Sequence, residues 1–184
     1  MNVFDAILKR ESIRAYLDKP VLDEDLAKIV EAGQRAPNAG EFQISVIRNA
    51  GLRKRINDAT RDAMADSSNE FLKQRVSLPG YEPLYGAPML ILLSAPTESV
   101  YSAANTSLAA ENMILEATEL GLGSCYLVSP TLALNAAENR ALAQEAGIPN
   151  GYALQCAVIV GVAAAENKFT VRERAKRGSV IYVD

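Results

Sequence analysis

Short β-strand patterns alternate with amphipathic helical patterns along the chain, and this order constrains the fold more than any other feature of the sequence. Four strand patterns lie at residues 42–48, 89–93, 124–128 and 152–163. Helical patterns lie at 2–9, from 23 to a break at 36–40, and at 52–75, 99–120 and 135–147. Because connections are short and the late strands are adjacent, the order favours a mixed or antiparallel sheet. We therefore expect an α+β fold with helices flanking a mostly antiparallel sheet.

A fifth strand pattern ends the chain, and a charged tail separates it from the others. Residues 179–183 contain alternating valine and tyrosine after the charge-rich stretch 166–178. A five-residue strand beyond such a tail is not stable alone, so we expect it to pair with a partner chain. No repeat, low-complexity segment or linker divides the sequence, which predicts a single domain over residues 1–184.

The composition excludes several classes of function. The formal charge of −3 gives no general attraction to nucleic acid or to an anionic membrane. Histidine is absent, which excludes a Ser–His or Cys–His nucleophile pair and a His-ligated zinc ion. No stretch approaches the roughly 20 apolar residues of a membrane helix. Cys125 and Cys156 lie in apolar runs without CxxC spacing, so we expect buried free thiols, no metal site and a cytoplasmic location.

Local patterns also predict how individual helices begin and pack. Asp23 is expected to cap the second helix, and Asn135 with Glu138 to form a capping pair for the helix at 135–147. One face of the helix at 99–120 carries small residues, which let another backbone approach closely: Ala103, Ser107, Ala110, Ile114 and Ala117.

A twin-cation segment at residues 10–16 follows the first helical pattern. That helix is expected to pack its apolar side chains on the core: Phe4, Ile7 and Leu8. Arg10 then emerges at the helix end, and Ser12 and Arg14 point the same way if the chain continues extended. Two guanidinium groups with a hydroxyl between them offer several donors to a phosphate or to the acceptor edge of a flat heterocycle. The alternative is a solvated helix end with ordinary surface arginines.

A second basic group lies in the charged tail, shortly before the last strand pattern: Arg172, Arg174, Lys176 and Arg177. Cations from sequence-distant segments commonly converge on a phosphate, although a charge run is also typical of a solvated surface. With Arg10 and Arg14, this group predicts an anion site built from both ends of the chain.

Two turns offer amide and backbone groups to a flat ligand. The turn at 37–43 places side-chain amides beside a backbone that large side chains do not obstruct, which suits the edge of an isoalloxazine or nucleobase ring. The segment 121–124 contains two glycines, but it follows a helix and so does not match the dinucleotide fingerprint. Each segment also fits an ordinary turn or helix stop.

In this order, the segments resemble the nitroreductase family of FMN-dependent oxidoreductases over nearly the whole chain. Residues 10–16 match the family's R-x-S-x-R-x-[FY] start, and residues 36–43 match its A-P-S-A-x-N-x-Q turn. Further matches are Gly86-Ala87-Pro88, Ala110-Glu111-Asn112-Met113, Gly121-Leu122-Gly123-Ser124 and the basic tail before a final strand. Each motif is weak alone, whereas the ordered set is specific.

The resemblance implies a homodimer with FMN at its interface and an exchanged C-terminal strand. The residues that would hold FMN are Arg10, Ser12, Arg14, Pro37, Asn38, Ala39, Gln43, Arg174 and Lys176. The first two and the tail cations would bind the phosphate, and Arg14 would reach the pyrimidine edge of the flavin. The turn at 37–43 would approach the same flavin from the second subunit. No catalytic side chain is implied, because the flavin carries the chemistry.

The implied activity is ping-pong transfer of hydride from NADH or NADPH, through FMN, to an electron-poor small molecule such as a nitroaromatic or a quinone. Two departures leave alternatives open: Glu41 stands where the family has asparagine, and Leu127-Val128-Ser129 replaces a glycine pair near the flavin N5. The chain would then bind FMN without turnover, or act as a dehalogenase, an azoline oxidase or a flavin-cleaving synthase. A further alternative is a protein that binds some other phosphorylated ligand.

Overall fold

The computed structural model describes residues 1–165 and 177–183. Within them, four strands form one antiparallel sheet: β1 (Gln43–Ile47), β2 (Met89–Pro96), β3 (Gly123–Leu127) and β4 (Tyr152–Gly161). Their order across the sheet is β1-β2-β4-β3, so β1 and β3 are its edges. The predicted α+β class with a mostly antiparallel sheet is confirmed.

Helices cover both faces of this sheet. They are α1 (Val3–Lys9), α2 (Asp23–Gln34), α3 (Ala50–Ala65), α4 (Glu70–Val76), α5 (Ser102–Glu119), α6 (Pro130–Leu134) and α7 (Arg140–Glu145), with a 3-10 turn at Ala137–Asn139. Helices α2 and α5 pack together on one face, while α3 and α6 cover the other. The core therefore consists of two apolar layers with the sheet between them.

The central strands β2 and β4 are apolar on both faces. Leu90 and Ile159 enter the layer beneath α3 and α6, whereas Ile91 and Val158 enter the layer beneath α2 and α5. A continuous apolar run is the pattern of a strand that is covered on both sides. The buried strand predicted at 89–93 is confirmed, and it extends to Pro96.

The single helix predicted at 52–75 is wrong, because polar residues interrupt it at 66–69. Asp66 ends α3, and the Asn69 side chain begins α4 by accepting a hydrogen bond from the Phe71 amide at 3.0 Å. Asparagine and serine bond readily to nearby backbone and so favour caps over helix interiors. The result is a separate short helix, α4, ahead of the irregular loop at 77–88.

Both predicted caps are wrong as well. Asp23 is the first residue of α2, and the preceding Leu22 makes no side-chain cap. Asn135 does not start a helix with Glu138; its amide group donates to the Leu154 carbonyl at 2.9 Å and accepts from the Leu154 amide at 2.8 Å. This side chain therefore pairs with the β4 backbone, a long-range contact that local spacing does not reveal.

The apolar face of α1 does not pack on the core as predicted. Phe4 and Leu8 are 66% and 65% exposed, and Ala6 is the buried residue of the helix. We call the exposed apolar side chains of this helix the α1 surface: Val3, Phe4, Ile7 and Leu8. A contiguous apolar surface on a small protein commonly marks an interface.

Residues 179–183 form no strand in this chain, although their alternation predicts one. We call their apolar side chains, which are 74% to 90% exposed, the apolar tail: Val180, Ile181, Tyr182 and Val183. A strand requires a hydrogen-bonding neighbour, and none of the four strands in the described part of the protomer pairs with this segment. The tail cations Arg174 and Lys176 lie outside the described residues.

Cys125 and Cys156 are buried free thiols, as predicted. Burial raises the pKa of Cys156 to about 11 and raises the pKa of Cys125 in the same direction. In an unfolded chain a cysteine titrates near pH 8.5. Both thiols therefore stay protonated in the fold over a pH range in which the unfolded chain loses these protons.

We expect the free energy of unfolding to fall between about pH 8.5 and 11. In that window the unfolded state binds fewer protons than the fold, so a rise in pH favours unfolding. One pKa unit corresponds to about 1.4 kcal/mol, so Cys156 alone contributes roughly 3 kcal/mol. Urea unfolding at pH 8 and pH 11 measures the change, and Cys156→Ala should reduce it. An equal pH dependence in the wild-type protein and the variant would contradict the expectation.

Candidate functional site

The twin-cation segment lies along the outer edge of β3. Ser12 forms an isolated parallel bridge with Ser124, and the Ile13 amide donates to the Ser124 carbonyl at 2.8 Å. Close approach requires glycine at the start of β3, because a Cβ on Gly123 would lie 2.9 Å from Ile13 Cγ2. The segment is thus held against the edge of the sheet by backbone pairing, which fixes the positions of its Cα and Cβ atoms.

The side chains of this segment converge near the thiol of Cys125. Burial raises the pKa of that thiol, and four neighbours act in the opposite direction: Arg14 by charge, Ser12 by a hydrogen bond, and Arg10 and Arg75 by charge. We call Arg10, Ser12, Arg14 and Arg75 the basic cluster. Such a concentration of guanidinium groups beside a hydroxyl can bind an anion or the acceptor edge of a ring.

The prediction from sequence missed Arg75. This residue lies in α4, within a stretch that reads as an ordinary charged helix, and no motif distinguishes it from its neighbours. The break at 66–69 ends α3, so α4 forms a separate helix and Arg75 does not continue the α3 surface. Asn69 as a cap was a signal that could have indicated this break.

The turn at 37–43 is fixed at the other edge of the sheet, before β1. The Ala39 amide donates to Asn105 Oδ1 at 2.9 Å, and the Asn38 side-chain amide donates to the Ala36 carbonyl at 3.3 Å. Gly40 has a φ of 121°, a left-handed conformation that favours glycine. The turn therefore has a defined shape in the protomer, with Pro37 exposed at its start.

Gln43, at the end of this turn, uses its side-chain NH2 group for hydrogen bonds within the protomer. Its Nε2 donates to the Gly147 carbonyl, which also accepts from Ser45 Oγ at 3.1 Å. These bonds hold β1 to the turn after α7. Gln43 is therefore a support of the turn, and any contact with a ligand would come from its carbonyl oxygen.

The two sets of predicted site residues lie at diagonally opposite corners of the sheet. Ser124 is level with Met89 in the strand register, whereas Gln43 is level with Ser94, and β4 and β2 lie between the two edges. With about 4.8 Å between strands and about 3.4 Å per residue, roughly 25 Å separates Ser12 from Gln43. One protomer therefore does not bring all the predicted residues together.

Each corner contains a buried polar atom that has no hydrogen-bond partner within residues 1–165 and 177–183. They are Ser124 Oγ, on a residue 2% exposed, and Asn105 Nδ2, on a residue 3% exposed. A buried polar group left unpaired is costly, and ordered water or a ligand commonly satisfies it. The basic cluster, at the Ser124 corner, offers donors that fit a ligand with an anionic group and a flat acceptor edge, as FMN has. The Asn105 amide lies at the opposite corner of the protomer.

Glu41 is exposed on the same turn, where the resemblance leads one to expect asparagine. Its Oε2 accepts a hydrogen bond from the Tyr152 hydroxyl at 3.0 Å, and this bond raises the pKa of Tyr152. At the second departure, β3 ends at the buried Leu127, and Val128 is exposed before α6 begins. The turn thus carries a carboxylate that β4 holds in place.

Residues 1–165 and 177–183 contain no group of three or more histidine, cysteine, aspartate or glutamate side chains that could hold a metal ion. In the same residues, no helix has both the length and the apolar character needed to cross a bilayer.

Helices on both faces of a four-stranded sheet, with a basic cluster on an edge strand, define a class of α+β proteins suited to an anionic ligand. The model of the nitroreductase family matches residues 7–162, and the chain belongs to that family. The family resemblance that the motifs indicate is therefore confirmed.

Individual relatives agree with this assignment. Over 171 residues the chain is 29% identical to an Archaeoglobus fulgidus protein with the provisional name NADH dehydrogenase/NAD(P)H nitroreductase, covering 89% of this chain and 86% of the relative. It is 27% identical over 130 residues to the NADPH-flavin oxidoreductase of Vibrio harveyi, covering 68% of this chain and 53% of that protein. The crystal structure of a Bacteroides fragilis nitroreductase with bound FMN superposes with a TM-score of 0.89, at 27% identity and full coverage of both chains.

Proposed function

We propose that the chain is an FMN-dependent oxidoreductase that uses NADH or NADPH to reduce an electron-poor small molecule, such as a nitroaromatic or a quinone. The observation that carries this proposal is the convergence of Arg10, Ser12 and Arg14 at the outer edge of β3. The similar Bacteroides fragilis structure contains FMN, and the two curated relatives are named for nicotinamide-dependent reduction. The buried free thiols of this chain, Cys125 and Cys156, suit the reducing cytoplasm.

The roles of the chain's own residues follow from their positions. Arg10 and Ser12, with the tail cations, would hold the phosphate of FMN, and Arg14 would lie at the pyrimidine edge of its ring. A positive charge there lowers the energy of an electron-rich ring. When bound, FMN supplies the group that accepts and donates hydride. The protein then needs residues that bind and orient, which is compatible with a chain that has no histidine.

We propose further that the protein works as a homodimer in which the turn at 37–43 reaches the flavin of the other subunit. The roughly 25 Å between the two corners is too far for both to contact one isoalloxazine ring within a protomer. The apolar tail and the α1 surface are also exposed to water in the protomer. A partner that covered them would remove the unfavourable free energy of this apolar exposure. An exchanged tail would give residues 179–183 the strand neighbour that they lack.

A second candidate function is FMN binding without turnover. Glu41 favours it, because its carboxylate lies on the turn that would face the flavin and is held there by Tyr152. A negative charge close to the ring would disfavour hydride acceptance. The two candidates share the cofactor and differ in whether a nicotinamide reduces it.

The test is an absorption spectrum of the purified protein, followed by anaerobic titration with NADH and NADPH. We expect a yellow protein that either nicotinamide bleaches and that a nitroaromatic or a quinone then reoxidises. Yellow colour without bleaching would favour the second candidate. A colourless protein that takes up no FMN on reconstitution would contradict both.

A further inference from the structure

We propose that Arg75 is a positioning residue of the flavin site, held at the ring edge beside Arg14 by the phenols of Tyr81 and Tyr85. This inference rests on the proposed function, because it takes FMN as the ligand of the basic cluster. Arg75 belongs to none of the sequence motifs, and it comes from α4 rather than from either end of the chain.

Two aromatic side chains orient the Arg75 guanidinium. Its Nη2 donates to the Tyr85 hydroxyl at 3.0 Å, and its Cζ lies 5.2 Å from the centroid of the Tyr81 ring. The two rings meet edge to face, with centroids 5.6 Å apart and an interplanar angle of 89°. A guanidinium that stacks on one ring and donates to the next phenol has lost most of its rotational freedom. Its orientation is therefore fixed by its two aromatic neighbours.

The aromatic support is itself anchored in the core. Tyr81 is buried, and Tyr85 packs against the apolar layer beneath α3 and α6. Tyr85 also has a φ of 51°, a left-handed conformation that is costly for a residue with a bulky side chain. Such strain persists where the surroundings fix it, and it is concentrated at functional sites.

The position of Arg75 indicates the ring edge rather than the surface. Its charge acts on the Cys125 thiol together with the charges of Arg14 and Arg10, so three guanidinium groups share one region. Tyr16, at the end of the twin-cation segment, and Pro88, three residues after Tyr85, both lie against Gly161, where an added Cβ would come within 2.9 Å of Tyr16 Cδ1 and 2.6 Å of Pro88 Cδ. Arg14 and Tyr85 also both act on the pKa of the Tyr16 phenol, which burial raises. Tyr85 and the arginine that it holds therefore lie on the Arg14 side of the cluster. Positive charge in this region would stabilise an electron-rich ring edge bound there.

The test compares Arg75→Gln with wild type in apoprotein reconstituted with FMN. We expect the dissociation constant for oxidised FMN to rise about tenfold, and that for reduced FMN to rise about tenfold more, because the lost charge matters most to the electron-rich state. A tenfold differential corresponds to a midpoint potential about 30 mV lower for a two-electron couple. Quenching of FMN fluorescence gives the affinity, and spectroelectrochemistry gives the potential.

Lys73→Gln is the matched control, because Lys73 lies on the same helix and pairs with Glu70 at 3.0 Å. Arg75→Lys should recover part of the potential. Tyr85→Phe keeps the ring but removes the hydroxyl, and should lower the potential by a smaller amount even if Arg75→Gln fails to fold. If wild type binds FMN while Arg75→Gln or Tyr85→Phe has the potential of Lys73→Gln, this inference is wrong and the proposed function stands. If wild type binds no FMN, the proposed function itself is wrong.

Discussion

Removal of residues 179–184 is expected to leave a folded monomer that no longer retains FMN. The sheet and both apolar layers are built within residues 1–165, and the apolar tail makes little contact with its own protomer. On a partner, each large apolar side chain would contribute about 1.5–3 kcal/mol. A loss of only about 4 kcal/mol weakens association about a thousandfold. Sedimentation velocity and FMN retention through gel filtration measure the two effects.

This deletion separates the role of the apolar tail from that of the tail cations, because Arg174 and Lys176 stay in the chain. Removal of Asp184 alone is the control and should leave both dimer and cofactor unchanged. Circular dichroism should show that the shortened protein keeps its helices and strands. A shortened protein that remains a yellow dimer would contradict tail exchange as the basis of assembly.

The sheet was predictable because its strands follow rules that operate locally. The run at 89–93 is apolar at every position, which only burial on both faces explains. The face of α1 shows the limit of the same reasoning. Helical spacing of Phe4, Ile7 and Leu8 predicts that one side is apolar, but it does not tell whether the chain's own core or another molecule covers that side.

The site was predictable only as separate pieces. The motifs at 10–16 and 36–43 indicate residue types suited to a flavin, yet their separation depends on the strand order, which a motif does not contain. The orientation of Arg75 was not predictable at all, because it depends on Tyr81 and Tyr85 folding back onto α4. The path of an irregular loop such as 77–88 is not contained in a motif or in helical periodicity.

Arg10→Ala is expected to weaken FMN binding by about 1.5–3 kcal/mol, the value of a hydrogen bond to a charged group, or roughly 10-fold to 150-fold in dissociation constant. Arg10 leaves the end of α1 directly before the segment that pairs with β3, so its side chain starts from a fixed backbone. Its Nε lies 4.0 Å from Glu111 Oε1, and Glu111 is half exposed, so this ion pair contributes little to the position of the guanidinium. Titration of apoprotein with FMN, followed by fluorescence quenching, measures the change.

Lys9→Ala is the matched control, because Lys9 is the adjacent cation at the end of the same helix and is exposed. A general loss of positive charge near the site would weaken binding equally in both variants, whereas a direct phosphate contact weakens it only in Arg10→Ala. Arg10→Lys should fall between, since an ammonium group keeps the charge but lacks the paired donors of guanidinium. Equal affinities for wild type, Arg10→Ala and Lys9→Ala would place the phosphate elsewhere, and the basic cluster would then bind a different part of the ligand.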